Sequence, residues 1–153
     1  MSSEKRKIAY IDGKPYEIGA NHTSILKFVK SYVGEKKVPT LCDDPNLAPY
    51  GACRVCSVEV ALEKDGPTRM VASCHTPVAE NQHIFTSNEA ITSLRKNIVE
   101  LVLTDHPMEC DSCEVNNNCE LQTVANDLGI SDHRYNSPKQ HKGIPRDTSH
   151  DYM

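Results

Sequence analysis

The stretch Gly51-Ala52-Cys53-Arg54-Val55-Cys56-Ser57-Val58-Glu59-Val60-Ala61-Leu62 changes character half-way along. It opens on two small residues and a C-x2-C pair. It then alternates, with Cys56, Val58, Val60 and Leu62 on one side and Ser57, Glu59 and Ala61 on the other. Period-two alternation marks a strand, so a thiol-bearing loop runs directly into a sheet. Gly51 and Ala52 leave room for backbone N–H groups to come close to sulfur.

Upstream, the segment from Val38 to Cys53 contains Cys42 and reads as loop, because Pro39, Pro45, Pro49 and Gly51 interrupt every period. Downstream, Lys64-Asp65-Gly66-Pro67 turns the strand and Arg69 to Ala72 returns it to Cys74, giving C-x10-C-x2-C-x17-C. A third short strand spans Gln82 to Thr86. Nearer the N-terminus, Lys7 to Ile11 and Pro15 to Ile18 flank Asp12-Gly13, a strong hairpin signal. Thr23 or Ser24 caps a helix carrying Ile25, Leu26, Phe28, Val29, Tyr32 and Val33, with Gly34 as its stop. The order hairpin, helix, ligand loop, hairpin, strand predicts an α+β fold, a β-grasp sheet with one helix across it.

Beyond the sheet, Thr86 and Glu89 read as a capping box before a helix with Ile91, Leu94, Ile98, Leu101 and Val102 on one face. Pro107 ends it and leaves His106 at its tip. From His106 the chain reads H-x3-C-x2-C-x5-C through Cys110, Cys113 and Cys119, four metal-binding side chains in fourteen residues. Asn116 to Asn118 read as a turn that tolerates left-handed backbone. Leu121, Val124, Ala125 and Leu128 then predict a short amphipathic helix stopped by Gly129. The predicted divisions are a sheet domain over 1–86, a small helical domain over 87–130 and an extended or disordered arm over 131–153.

Seven cysteines cannot fill two four-cysteine sites. Cys42, Cys53, Cys56 and Cys74 make one set, and His106 completes the other with Cys110, Cys113 and Cys119. With no Trp, two Phe and 38% hydrophobic residues, any second core is thin, and a metal centre is the expected staple. No export signal or membrane-length apolar run is present, which predicts a cytoplasmic protein without direct membrane insertion, where thiols serve as ligands rather than bridges. The formal net charge of -4 argues against nucleic acid as a partner. Structural zinc takes the same ligand types, and either C-x2-C could be a redox dithiol. Against zinc stands the wide spacing of the outer ligands of the first set; against the dithiol stands the lack of a βαβ setting. His75, next to Cys74, is a weaker candidate, and His22, His83, His133, His141 and His150 read as ordinary core or surface residues.

The chain resembles the N-terminal iron-sulfur module of the large, G-type iron-sulfur subunits of NADH-quinone oxidoreductases (respiratory complex I), shared with NAD-linked hydrogenases and formate dehydrogenases. The resemblance rests on Cys42 with its ten-residue gap, on Ala52 to Val60, on Ala72-Ser73-Cys74-His75-Thr76-Pro77-Val78, and on Asp105 to Cys113 continuing through Cys119-Glu120-Leu121-Gln122. It implies a plant-type, ferredoxin-like [2Fe-2S] cluster on Cys42, Cys53, Cys56 and Cys74. It also implies a [4Fe-4S] cluster on His106, Cys110, Cys113 and Cys119, in a small helical His/Cys3 domain. With no ligand position left open for substrate and no G-x-G-x-x-G or P-loop, the chain is expected to relay single electrons between a flavin-containing, NAD(P)H-oxidising subunit and a further iron-sulfur or catalytic subunit, such as a hydrogenase or formate dehydrogenase. It is then an electron carrier and not a catalyst by itself; a zinc-stabilised interaction subunit is the alternative. The Cys56 to Cys74 segment is longer than the family pattern, with its excess around Glu63 to Thr68.

Overall fold

A computed structural model describes residues 6–132 and 134–135. Most of the expected arm over 131–153, including His133, His141 and His150, therefore lies outside the described residues. The elements follow the order β1 (Ile8–Ile11), β2 (Lys14–Glu17), α1 (Ile25–Val33), β3 (Ser57–Ala61), β4 (Arg69–Ala72), β5 (His83–Phe85), α2 (Glu89–Thr104) and α3 (Glu120–Asp127), with a 3-10 turn at Cys110–Ser112.

The five strands form one mixed sheet in the order β2-β1-β5-β3-β4. Asp12 and Gly13, at φ 47° and 83°, make the tight turn of the first hairpin. Only β1 and β5 run parallel, with Tyr10 opposite His83 and Ile11 opposite Ile84. Helix α1 crosses one face. Ser24 caps it by accepting from the Lys27 N–H, and Gly34, at φ 105°, ends it. Its Ile25, Leu26, Phe28 and Val29 pack on Ala9, Ile11, Val58, Val60, Ala72 and Ile84 from four strands. Each buried Val, Leu, Ile or Phe side chain among these contributes about 1.5–3 kcal/mol, making this the main core.

A second, smaller core joins Val99 and Leu103 of α2 to Val124, Ala125 and Ile130 around α3, and Val55 completes it. Val55 is the residue between Arg54 and Cys56 in the first C-x2-C, and it is fully buried. The ligand loop of the sheet is thus plugged into the helical region. Helix α2 also lies across β3, which is why Ser57 and Ala61, on the face away from α1, are buried too.

Three local expectations are corrected. The inner stripe of α2 is Ile91, Arg95, Val99 and Leu103, while Leu101 is 54% and Val102 40% exposed. A charged residue in the buried stripe hid its register. The cap of α2 is Asn88, whose side chain accepts from the Ile91 N–H at 2.8 Å. Thr86 is instead held by Asp12, its backbone N–H donating at 2.8 Å and its hydroxyl at 2.6 Å to the carboxylate. Leu62 does not continue the β3 alternation; it is 72% exposed at the mouth of the turn.

Candidate metal centres

Three thiols of the first set, Cys42, Cys56 and Cys74, interact where the long loop, the start of β3 and the end of β4 meet. Cys56 and Cys74 are buried, and Cys42 and Cys53 are partly exposed. Cys74 lies within hydrogen-bonding reach of Cys56 and in the electrostatic field of Cys42, and the Gly51 N–H donates to it. Burial first, and the neighbouring thiols second, push the Cys74 thiol up to about 12. Sulfurs crowded in this way repel one another as thiolates, and a core of positive iron ions removes the repulsion. Cys53 packs with Leu41 against the second core.

Backbone conformation sets the loop. Gly51 and Arg54 both have positive φ, 74° and 65°. A side chain at Gly51 would stand 3.1 Å from the Ala72 Cβ, so only glycine brings this N–H up to Cys74 without strain. The Ser73 hydroxyl donates to the Cys56 carbonyl at 2.7 Å, fixing the strand ends that carry Cys56 and Cys74. His75 is exposed beside this loop.

Helix α2 reaches this site from the other side of the sheet. Arg95, 5% exposed, donates from Nη2 to the Ser57 carbonyl at 2.7 Å, and its Nε has no partner. Burial draws the guanidinium down to about 10, and the Cys56 thiolate acts in the opposite direction. A buried cation with an unpartnered N–H in the electrostatic field of Cys56 is a fit for an anionic cluster. Sequence reasoning missed Arg95, since an arginine in an otherwise amphipathic helix reads as solvated.

In the second set, His106, Cys110, Cys113 and Cys119 all line one cavity of about 270 Å³, walled by Leu103, Met108, Val115, Leu121, Ala125 and Ile130. His106 follows the end of α2, its N–H bonded to the Leu103 carbonyl at 3.2 Å. Cys110 opens the 3-10 turn, and Cys119 caps α3, its sulfur accepting from the Gln122 N–H at 3.5 Å. The helix N-terminus favours negative charge there. Gln122 also closes the loop between Cys113 and Cys119: its side chain accepts from the Asn117 N–H and donates to the Asn116 side chain, both at 2.8 Å. Asn117 takes the left-handed conformation expected of the asparagine run, at φ 62°. The Cys119-x-x-Gln122 spacing, a capping box with thiol for hydroxyl, was the available signal for Gln122.

Among the described residues, no three His, Cys, Asp or Glu side chains converge as the donors of a single metal ion do. A polynuclear core holds its donors further apart, and the apolar wall of the cavity suits a bulky inorganic group. Comparison with known families decides between the groups. Residues 7–89 match the profile of a 2Fe-2S iron-sulfur cluster binding domain, and residues 95–134 that of the NADH-ubiquinone oxidoreductase-G iron-sulfur binding region. The chain belongs to the 2Fe-2S iron-sulfur cluster binding domain family and carries an NADH-ubiquinone oxidoreductase-G iron-sulfur binding region after it.

This G-type module carries one [2Fe-2S] and one [4Fe-4S] cluster, and the zinc alternative gives way to them. It is 34% identical over 137 residues to the NADPH-Fe(3+) oxidoreductase subunit alpha of Geobacter sulfurreducens, across 90% of the chain and 15% of that protein. It is 35% identical over 133 residues to the G subunit of NADH-quinone oxidoreductase from Escherichia coli, across 86% of the chain and 14% of that protein. The module thus spans about 15% of the length of these curated relatives. Its fold is that of a chain in an NAD+-reducing [NiFe]-hydrogenase crystal structure in the H2-reduced state, with a TM-score of 0.72, 23% identity, and 92% of the module and 54% of that chain covered. Among the described residues no helix is long and apolar enough to cross a membrane.

Proposed function

We propose that the chain relays single electrons between a flavin-containing, NAD(P)H-oxidising subunit and a further iron-sulfur or catalytic subunit of a multisubunit complex in the cytoplasm. In this reading a β-grasp domain over residues 1–86 holds the [2Fe-2S] cluster on Cys42, Cys53, Cys56 and Cys74. A helical domain over 87–130 holds the [4Fe-4S] cluster on His106, Cys110, Cys113 and Cys119. Bound in such sites, the clusters accept and give up single electrons with little rearrangement of their ligands.

The observation that carries the proposal is the shared core. Val55, inside the first ligand pair, packs on Val99 and Leu103 of α2, the helix that leads to His106. Two redox sites joined by a rigid apolar core keep a constant separation, which a relay needs and two unrelated structural sites do not. The names of the relatives support the nicotinamide end, since each is a nicotinamide-linked oxidoreductase. The chain's own residues supply ligation, burial of Cys56 and Cys74, and N–H donors from Gly51 and Gln122. Their task is to hold sulfur in place and tune it, not to transform a substrate.

The test uses anaerobically purified full chain. Iron, acid-labile sulfide and two dithionite-reducible EPR signals are expected, with Cys74→Ala abolishing the [2Fe-2S] signal and Cys113→Ala the [4Fe-4S] signal. NAD(P)H should reduce both clusters when the chain is assembled with its nicotinamide-oxidising partner and neither when it is alone. Reduction in neither state would overturn the relay.

A further inference from the structure

Arg95 is a buried charge that the ligand sets leave without a task. It extends from α2 onto β3, where Nη2 is spent on the carbonyl of Ser57, the residue after Cys56, and Nε is buried without a partner. No ion pair engages it among the described residues. The contrast with Glu100, the other buried charge on this helix, is instructive: Glu100 is paired with Arg134 at 2.6 Å. A buried cation with no counter-ion is strongly unfavourable, and a hydrogen bond to one neutral carbonyl does not compensate it. Evolution of the fold around such a group makes physical sense where an anion completes the pair.

We propose that Arg95 is the counter-ion of the [2Fe-2S] cluster, set beside Cys56 by its bond to the Ser57 carbonyl, and that its fixed positive charge raises the reduction potential of that cluster. This rests on the assignment of Cys56 as a cluster ligand. Four thiolates around an oxidised [2Fe-2S] core carry about -2, and about -3 after one electron is added. A neighbouring cation stabilises the more negative state more. Because Arg95 belongs to α2 while the cluster belongs to the sheet, the docking of the helical region also sets the electronic character of the first site. An arginine suits the role better than a lysine, since its planar fork bonds the carbonyl with one N–H and keeps others for the cluster.

The experiment is an EPR-monitored redox titration of the full chain holding both clusters, comparing wild type with Arg95→Gln and Arg95→Lys. Arg95→Gln should favour the oxidised [2Fe-2S] state about tenfold, a fall of 59 mV for a one-electron couple. Arg95→Lys should stay within about threefold of wild type. The [4Fe-4S] midpoint is the internal control. The end of α2 at Thr104 lies roughly 14 Å beyond Arg95 at 1.5 Å per residue, with His106 after it, so that midpoint should hold in both variants.

Loss of the [2Fe-2S] cluster from Arg95→Gln with retention in Arg95→Lys at the wild-type midpoint also supports the counter-ion. An unchanged [2Fe-2S] midpoint in a cluster-bearing Arg95→Gln chain overturns it, as does loss of the cluster from both variants, which marks a packing role alone. Failure of the ligand assignment looks different, because the [2Fe-2S] signal would then survive unchanged in Cys56→Ala.

Discussion

His106 differs from the seven thiols in the respect that matters most to redox chemistry, because a neutral imidazole adds no negative charge. In the proposed ligand set, the second cluster is therefore one unit less negative than an all-cysteine version and easier to reduce. A cluster-retaining His106→Cys variant should have a lower [4Fe-4S] midpoint, by about tenfold in the reduction equilibrium or about 59 mV; an equal midpoint in a redox titration contradicts the argument. The candidate donors stand out one by one in the sequence, because seven thiols and one imidazole fall at metal-ligand spacings. The residues that support them do not. Arg95, Gln122 and Val55 have ordinary side chains whose meaning comes from where the fold delivers them. Val55 in particular reads as one more apolar position in a strand approach, although it is fully buried in a core built mainly by helices 40 and more residues later.

Elements were read with uneven success, and the reason is the number of faces each one buries. β1 and β2 were announced by the Asp12-Gly13 turn rather than by alternation, and the stripe of α1 was legible in Ile25, Leu26, Phe28 and Val29, though Tyr32 and Val33 at its end are exposed. Helix α2 meets two layers: its first half lies on β3 and its second half joins the small core with α3. Its buried line therefore mixes Arg95 with Ile91, Val99 and Leu103 and leaves Leu101 and Val102 outside. The junction before it was misread for a related reason. Thr86 and Glu89 have capping-box spacing, but the partner that decides the role of Thr86 is Asp12, 74 residues away in sequence. Asp12 also meets Lys37 at 3.5 Å, so one carboxylate ties the first hairpin to the loop after α1 and to the entry of α2. Asp12→Ala leaves the fully buried Thr86 with an unmade N–H and hydroxyl bond, and should cost about 1–3 kcal/mol. The measurement is a denaturant midpoint on the cluster-loaded chain; a loss below about 0.5 kcal/mol would mean that water replaces the carboxylate.

At the scale of the molecule, stability is unevenly distributed. The sheet and α1 own a core of thirteen buried residues, whereas no residue from Thr104 to Cys119 is buried. In that segment the backbone is held by short turns and by Gln122, and the proposed donors His106, Cys110 and Cys113 all fall within it. A cluster bound by these proposed donors would take the place of a hydrophobic core. Removing iron anaerobically with a chelator should raise amide hydrogen exchange in 105–119 first, while the sheet strands stay protected. Uniform loss of protection across the chain would show that the two regions melt as one unit.

The parallel pairing of β1 with β5 has a further meaning for how this chain comes into being. Tyr10 finds His83 and Asp12 finds Thr86 only after the whole intervening segment has left the ribosome, and that segment contains Cys42, Cys53, Cys56 and Cys74. Contacts so distant along the chain form late and slowly. The sulfur donors of the first site are thus all synthesised before the scaffold that surrounds them can close, leaving an interval in which the nascent loop is open to iron delivery and equally open to oxidation.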